Sequence, residues 1–271
     1  MNKREAGMMC IAGFQGVGKT YQNMHVISNY IQDKPNGVKG RKVLIFDTNG
    51  EYTHEQFVKN NVYNVNPKRI ALKDIKDWSI SKIVECRKID AKNLNIKDKK
   101  KCLEYILHYF KNGMLVIEDI NTYILKVTHM EEIVGKIVNL RHRAVDVLIS
   151  YQSLRPIEPR IFQNSRWIRL HYQTDNVLDV KGKLPNIALF KVAQNLVNER
   201  YFNGDQRFFV YIYNAQNKIR GKFTISELKD AIKKFILSNK KYLKEYKQMN
   251  DCTDEDALDG LTNQYLKEFY E

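Results

Sequence analysis

Residues Gly13 to Thr20 read Gly-Phe-Gln-Gly-Val-Gly-Lys-Thr, a complete G-x-x-x-x-G-K-T spacing. The chemistry open to such a spacing is the holding of a polyphosphate. Glycines let the backbone curl until successive N–H groups converge on an anion, and a helix beginning there adds the positive end of its dipole. Lys19 is then placed to bridge the β- and γ-phosphates, and Thr20 to ligate Mg²⁺ through its hydroxyl. The predicted nucleotide contacts are Gly13, Phe14, Gln15, Gly16, Val17, Gly18, Lys19, Thr20 and Tyr21, with ATP and Mg²⁺ as the cofactors.

Two further stretches supply groups that could act on a bound triphosphate. Met114 to Ile117 is a continuous apolar run ending in adjacent acids, Glu118 and Asp119. At a strand tip one such carboxylate can hold the metal through water while its neighbour polarises the attacking water. Glu118 is assigned to the metal and Asp119 to the water. The Glu-Asp order reverses the common Asp-Glu pair, so the opposite assignment stays open. Asp146 to Tyr151 is another apolar strand, and Gln152 at its carboxyl end is placed to feel the γ-phosphate. A third strand, Val43 to Phe46, ends in Asp47, a turn at Asn49-Gly50, then Glu51 and Tyr52. Acids at the carboxyl ends of strands face the ligand crevice of an open α/β sheet.

The elements around these residues stand in the required order. Met8 to Ala12 is apolar and precedes the loop, while Val26, Ile27, Tyr30 and Ile31 recur behind it at helical spacing. A short strand is predicted near Ile83 to Cys86, a lysine-rich helix from Ile96 to Lys111, and a helix carrying Ile133, Val134, Ile137 and Leu140 as far as Arg143. Trp167 to Tyr172 reads as a strand, and Phe208 to Tyr213 with Lys218 to Phe223 as a hairpin around Asn214 to Asn217, after which Ser226 caps a helix. Strands interleaved with helices predict an α/β fold with a mainly parallel sheet flanked by helices, plus a C-terminal hairpin and a helical appendage. The predicted domains are 1–225 and 226–271, the second holding two helices and an acidic tail whose composition suits disorder.

Composition narrows the class. A chain of 271 residues, 43% hydrophobic, can bury a substantial core. Four scattered cysteines without C-x-x-C spacing, and an N-terminus without an apolar core, point to reduced thiols in a cytoplasm. No apolar stretch reaches the roughly 20 residues that cross a bilayer. The net charge is +14, and residues 251–271 hold seven acids against Lys267, which leaves +20 on residues 1–250. A basic body with an acidic tail suits a polyanionic partner, with the tail as competitor or partner hook. The six histidines show no paired metal spacing, and no covalent nucleophile is indicated.

Four motifs in order, Gly-x-x-Gly-x-Gly-Lys-Thr, Phe-Asp-Thr-Asn-Gly-Glu-Tyr, Leu-Val-Ile-Glu-Asp and Arg-His-Arg-Ala-Val-Asp-Val-Leu-Ile-Ser-Tyr-Gln, resemble those of the FtsK/HerA superfamily of DNA-pumping ATPases over about residues 8–175. The likeness places the chain among P-loop ATPases of the additional-strand catalytic-glutamate class, nearest viral genome-packaging ATPases and similar also to zonular occludens toxin-like phage ATPases. It implies a RecA-like core in a homo-oligomeric ring, hexameric or pentameric, that hydrolyses ATP at subunit boundaries and moves double-stranded DNA. Glu51 joins Lys19, Glu118, Asp119 and Gln152 in the implied catalytic set. Such rings use a cation from the neighbouring subunit at the γ-phosphate, where charge spreads during transfer, and Arg143 and Arg166 are the leading candidates. A packaging motor would work in the host cytoplasm beside a portal or nuclease, without inserting into a membrane. Two other readings fit the same motifs: an ATP-dependent switch or assembly factor that never moves DNA, and a HerA-like or conjugative DNA-transfer ATPase.

Overall fold

The computed structural model describes residues 5–125 and 127–271. The N-terminal stretch that lacks an apolar core lies largely outside them. The chain forms two compact units: one holds the residues up to Ile11, Gly18–Gln152 and Pro156–Ser165, the other Ala12–Val17, Ser153–Arg155 and Arg166–Glu271.

The first unit is built on six strands, β1 (Met8–Ala12), β2 (Lys42–Asp47), β3 (Lys68–Arg69), β4 (Cys86–Asp90), β5 (Gly113–Ile117) and β6 (Val145–Tyr151), in the order β3-β4-β2-β5-β6-β1. Pairing is parallel from β3 through β6, with Val43 opposite Met114 and Leu115 opposite Val147. Every residue of β2 and β5 is buried, as expected of strands covered on both faces. The covering helices are α1 (Lys19–Ile31), α2 (His54–Lys59), α3 (Ile75–Ile80), α4 (Ile96–Tyr109), α5 (Val127–Asn139) and α6 (Pro159–Asn164). One core cluster joins Met24 and Ile27 of α1 to Val43 and Ile45 of β2, Tyr52, Phe57 and Met114. The α/β architecture with a mainly parallel sheet is thus as the sequence predicts.

The fourth strand differs from expectation. Ile83 and Val84 are 53% and 48% exposed, and the strand starts at Cys86, because Lys88 and Ile89 are the residues whose side chains turn inward.

In the second unit β7 (Trp167–His171), β8 (Phe209–Tyr213) and β9 (Lys218–Gly221) form an antiparallel meander, with Trp167 opposite Tyr213 and Tyr213 opposite Lys218. Four helices follow the chain through this unit: α7 (Ile187–Phe202), α8 (Ile225–Ser238), α9 (Lys240–Asn250) and α10 (Asp254–Phe269). Helix α7 is buried on several sides, through Leu189, Phe190, Val192, Ala193, Leu196 and Val197, so it lacks the one-sided stripe by which the sequence could announce it. Thr224 caps α8, not Ser226: its hydroxyl accepts from the Glu227 N–H at 3.2 Å while the Glu227 carboxylate accepts from the Thr224 N–H at 2.7 Å.

Two helices were expected after residue 226 and three are found. The acidic tail is helix α10, not a disordered segment. Thr253 caps it, Asp254, Glu255 and Asp256 sit at the positive end of its dipole, and Ala257, Leu261, Leu266 and Phe269 are buried along one side. Two of the tail acids pair within the fold, Asp259 with Lys233 at 2.9 Å and Asp254 with Lys247 at 2.5 Å. Residues 226–271, read from the sequence as an appendage, fall in the same compact unit as 166–225.

Candidate functional site

The phosphate loop runs from β1 into α1. Gly18 is the N-cap residue of α1 at φ 87° and ψ 19°, a left-handed conformation that a side chain strongly disfavours. Gly13 is required for a different reason: a Cβ there would meet the His171 Cβ at 2.6 Å. Lys19 begins α1 and is 9% exposed.

Within the first unit the acids and amides singled out from the sequence gather at the carboxyl ends of β2, β5 and β6. Thr20 donates its hydroxyl hydrogen to Glu51 Oε2 at 2.7 Å. Glu118, immediately after β5, is buried and accepts at Oε1 from the Tyr52 hydroxyl and from Asn23 Nδ2, the latter at 2.8 Å. Asn23 also reaches the Tyr52 hydroxyl at 3.1 Å and Ser150 Oγ at 3.3 Å, tying α1, the loop after β2, β5 and β6 together. Burial raises the Glu118 pKa above the usual carboxylate range; the Tyr52 and Asn23 hydrogen bonds oppose that shift, and the charge of Asp119 adds to it. Burial and the same carboxylate push the Tyr52 hydroxyl pKa well up.

Asp119 adopts a left-handed backbone at φ 43°, uncommon for any residue but glycine. Its Oδ2 accepts from Asn49 Nδ2 and from Gln152 Nε2, each at 3.3 Å. Its Oδ1 is buried and has no hydrogen-bond partner among the described residues. A buried carboxylate oxygen left over in this way is costly unless something else is meant to meet it.

Asp47 does a different task from the one its strand-end position suggests. Oδ1 accepts from the N–H groups of Gly50 and Glu51 at 2.8 and 3.1 Å, and Oδ2 from the Tyr52 N–H and Lys88 Nζ, both at 3.2 Å. All its acceptor capacity is used to shape the turn that presents Glu51 and Tyr52. Asp47 is fully buried, and its partner's side chain is 8% exposed. Asp47→Ala is therefore expected to cost about 3–5 kcal/mol of stability by stranding the Lys88 ammonium and unlatching the turn. Chemical denaturation of the two proteins measures it, and a loss under about 1 kcal/mol would contradict the clamp.

The arginines are placed elsewhere. Arg143 lies at the end of a 3-10 turn, Leu140–Arg143, that leads into the amino end of β6, and its Nη1 donates to the Leu107 carbonyl at 2.5 Å. Burial lowers its pKa. It shares a cavity of about 410 Å³ with Leu107, His108, Lys136 and Leu140. Within one chain it is not brought to the acids at the other end of the sheet. Arg166 precedes β7 in the second unit, with its guanidinium 5.8 Å from the centre of the Tyr213 ring.

Sequence reasoning passed over Asn23 and Lys88, and read Asn49 only as a turn residue. Asn23 left one usable signal, a lone amide on the inward face of α1 beside Met24 and Ile27. Among the described residues no three His, Cys, Asp or Glu side chains cluster as a metal cage, and no helix is long and apolar enough to cross a membrane. The donors present do suit a magnesium nucleotide, which brings its own phosphate oxygens and waters: a Thr20 hydroxyl, the Glu118 carboxylate and the open Asp119 Oδ1.

The chain resembles known proteins at two levels. In structure it is similar to the DNA-packaging ATPase B204 of Sulfolobus turreted icosahedral virus, at 16% identity and TM-score 0.51, over 81% of this chain and 97% of that one. The B204 NTPase of Sulfolobus turreted icosahedral virus 2, solved with ATP-gammaS, matches at 16% identity and TM-score 0.50 over 81% and 97%. The N-terminal domain of zonular occludens toxin from Neisseria meningitidis matches at 15% identity and TM-score 0.33, over 62% and 77%. No curated protein matches the chain. At these identities the B204 structures speak for the fold, that of a P-loop NTPase. In sequence the family described as "Helicase HerA, central domain" matches residues 8–255, far more than half of the molecule, so the chain belongs to that family.

Proposed function

We propose that this protein hydrolyses ATP and uses the reaction to move double-stranded DNA, as the ATPase of a viral genome-packaging motor assembled as a homo-oligomeric ring in the host cytoplasm. The observation that carries the reading is the meeting of Asp119, with its unpartnered Oδ1, and Gln152 beside the Thr20–Glu51 pair and the buried Glu118. A single carboxylate oriented by a strand-end amide is what an attacking water needs to be held and polarised.

Each residue then has a task. The N–H groups of residues 13–20 and the start of α1 receive the phosphates, with Lys19 on the β- and γ-oxygens. Thr20 and Glu118 would hold Mg²⁺, which when bound neutralises the charge that develops on the leaving phosphates. Tyr52 and Asn23 keep Glu118 fixed, and Glu51 takes the Thr20 hydroxyl hydrogen. Asp119 accepts the proton of the attacking water, and Gln152 orients that carboxylate. Arg143 or Arg166 of a neighbouring subunit supplies the last cation.

The HerA family membership, the net charge of +14 and the coverage of 97% of a packaging ATPase chain support the DNA-moving part. The same family description favours one other reading, a HerA-like or conjugative DNA-transfer ATPase, in which every one of these residues keeps its task. Duplex DNA at low salt is expected to stimulate ATP turnover, and the stimulation to fade steeply as salt displaces phosphate contacts. Phosphate release measured with and without duplex DNA, alongside the mass in solution, tests the motor. A DNA-indifferent ATPase at low salt would leave the switch or assembly factor as the better reading.

A further inference from the structure

The first turn of the phosphate loop is pinned to an aromatic cluster. Phe14 donates its backbone N–H to the carbonyl of Tyr172, the residue after β7, at 2.7 Å. Tyr172 lies flat on Tyr201 of α7, with ring centroids 3.7 Å apart and planes 7° apart. Phe202 stands edge-on to both rings, at 5.6 Å from each. All of these residues belong to the second unit.

Packing half-buries Tyr172 and Tyr201 on each other but leaves Phe202 open. Phe202 is 72% exposed and Phe14 is 47% exposed, whereas Phe190 on the same helix α7 is fully buried. An exposed ring set against a half-buried ring stack marks a surface that takes a ligand. The rings are also held still. Tyr201 and Phe202 occupy the last turn of a helix anchored by Phe190, Val192, Leu196 and Val197, and the Tyr172 backbone is fixed by the loop itself.

We infer that Tyr172, Tyr201 and Phe202 form the platform on which the base of the nucleotide stacks while its phosphates lie in the loop. The inference rests on the phosphate-loop reading and adds to it the part of the ligand that the motif does not read. The ligand class is a nucleoside triphosphate, since a flat base joined to a polyphosphate is what a ring platform beside a phosphate loop accepts. Stacking on rings tolerates every base, because each has a π-face, and it rewards the larger overlap of a purine. ATP and GTP are accordingly expected to bind alike, and CTP more weakly.

Calorimetric titration of the full chain with ATP and with inorganic tripolyphosphate separates base from phosphates. Tyr201→Ala and Phe202→Ala should each weaken ATP about tenfold, the scale of one stacking contact, and leave tripolyphosphate at the parental affinity. Unchanged ATP affinity in both alanine variants, or equal weakening of ATP and tripolyphosphate, overturns the platform. Lys19→Ala tests the phosphate-loop reading by itself: it should weaken both ligands, and if it weakens neither, that reading fails whatever the rings do. Parental tripolyphosphate binding in the ring variants doubles as evidence that they are folded.

Discussion

Lys19→Ala is expected to abolish ATP turnover, lowering it by about 10²–10³-fold or more, the cost of removing one preorganised group from the oxygens where charge develops. The structure makes the case specific to this lysine. A typical surface ammonium is hydrated and mobile, and its loss is felt within tenths of a kcal/mol. Lys19 is 9% exposed and follows directly on the left-handed Gly18, so its stem is fixed where the loop closes. Alanine is the best helix former, so the first turn of α1 loses no propensity by the change. Steady-state phosphate release under saturating Mg-ATP reads the effect, with circular dichroism to show that the fold persists. A variant turning over ATP at the parental rate would remove the lysine from the reaction and with it the site.

How far the sequence reached can be followed residue by residue. The buried strands β2, β5 and β6 were legible because parallel strands covered on both faces are continuous apolar runs, and the polar residues that interrupt them mark their ends. The strand before α4 lies further along the chain than its apolar residues suggest, because Lys88, a charged residue, is drawn inside by Asp47. That pairing is a contact between residues 41 apart, and no local pattern contains it. Helix α7 escaped for the opposite reason: burial on several sides erases the periodicity that reveals a surface helix. The tail was misjudged by its charge. Its apolar residues recur at helical spacing, and the lysines that balance Asp254 and Asp259 lie on α9 and α8.

The candidate site divides along the same line. Residues announced by motif, such as Thr20, Glu51, Glu118, Asp119 and Gln152, could be named because their types recur at strand ends and helix starts. Their supports could not. Asn23 and Tyr52 meet at Glu118 only because α1, the loop after β2 and the tip of β5 converge there. Asp47 shows the limit in the other direction, since an acid at a strand's carboxyl end looked like a ligand and is instead the latch of a turn.

Asp119→Asn separates the two carboxylates that the sequence left interchangeable. Glu118 is enclosed, with a hydroxyl and an amide already on Oε1, and burial raises its pKa. Asp119 is held from one side only, by Asn49 and Gln152 on Oδ2, and its other oxygen is unmatched. A base must have a lone pair to offer, and the geometry gives that to Asp119. The amide of asparagine can keep the place of Oδ2 in that pair of contacts while losing the ability to take a proton. Hydrolysis should therefore fall about 10²–10⁴-fold, the usual worth of a positioned general base, while ATP still binds. Single-turnover phosphate release gives the first quantity and calorimetric titration with ATP the second. Should Asp119→Asn hydrolyse ATP normally while Glu118→Gln binds Mg-ATP as the parent does but fails to turn it over, the two roles are exchanged. Asp119 would then be an orienting partner of Gln152, and its empty oxygen would need another explanation.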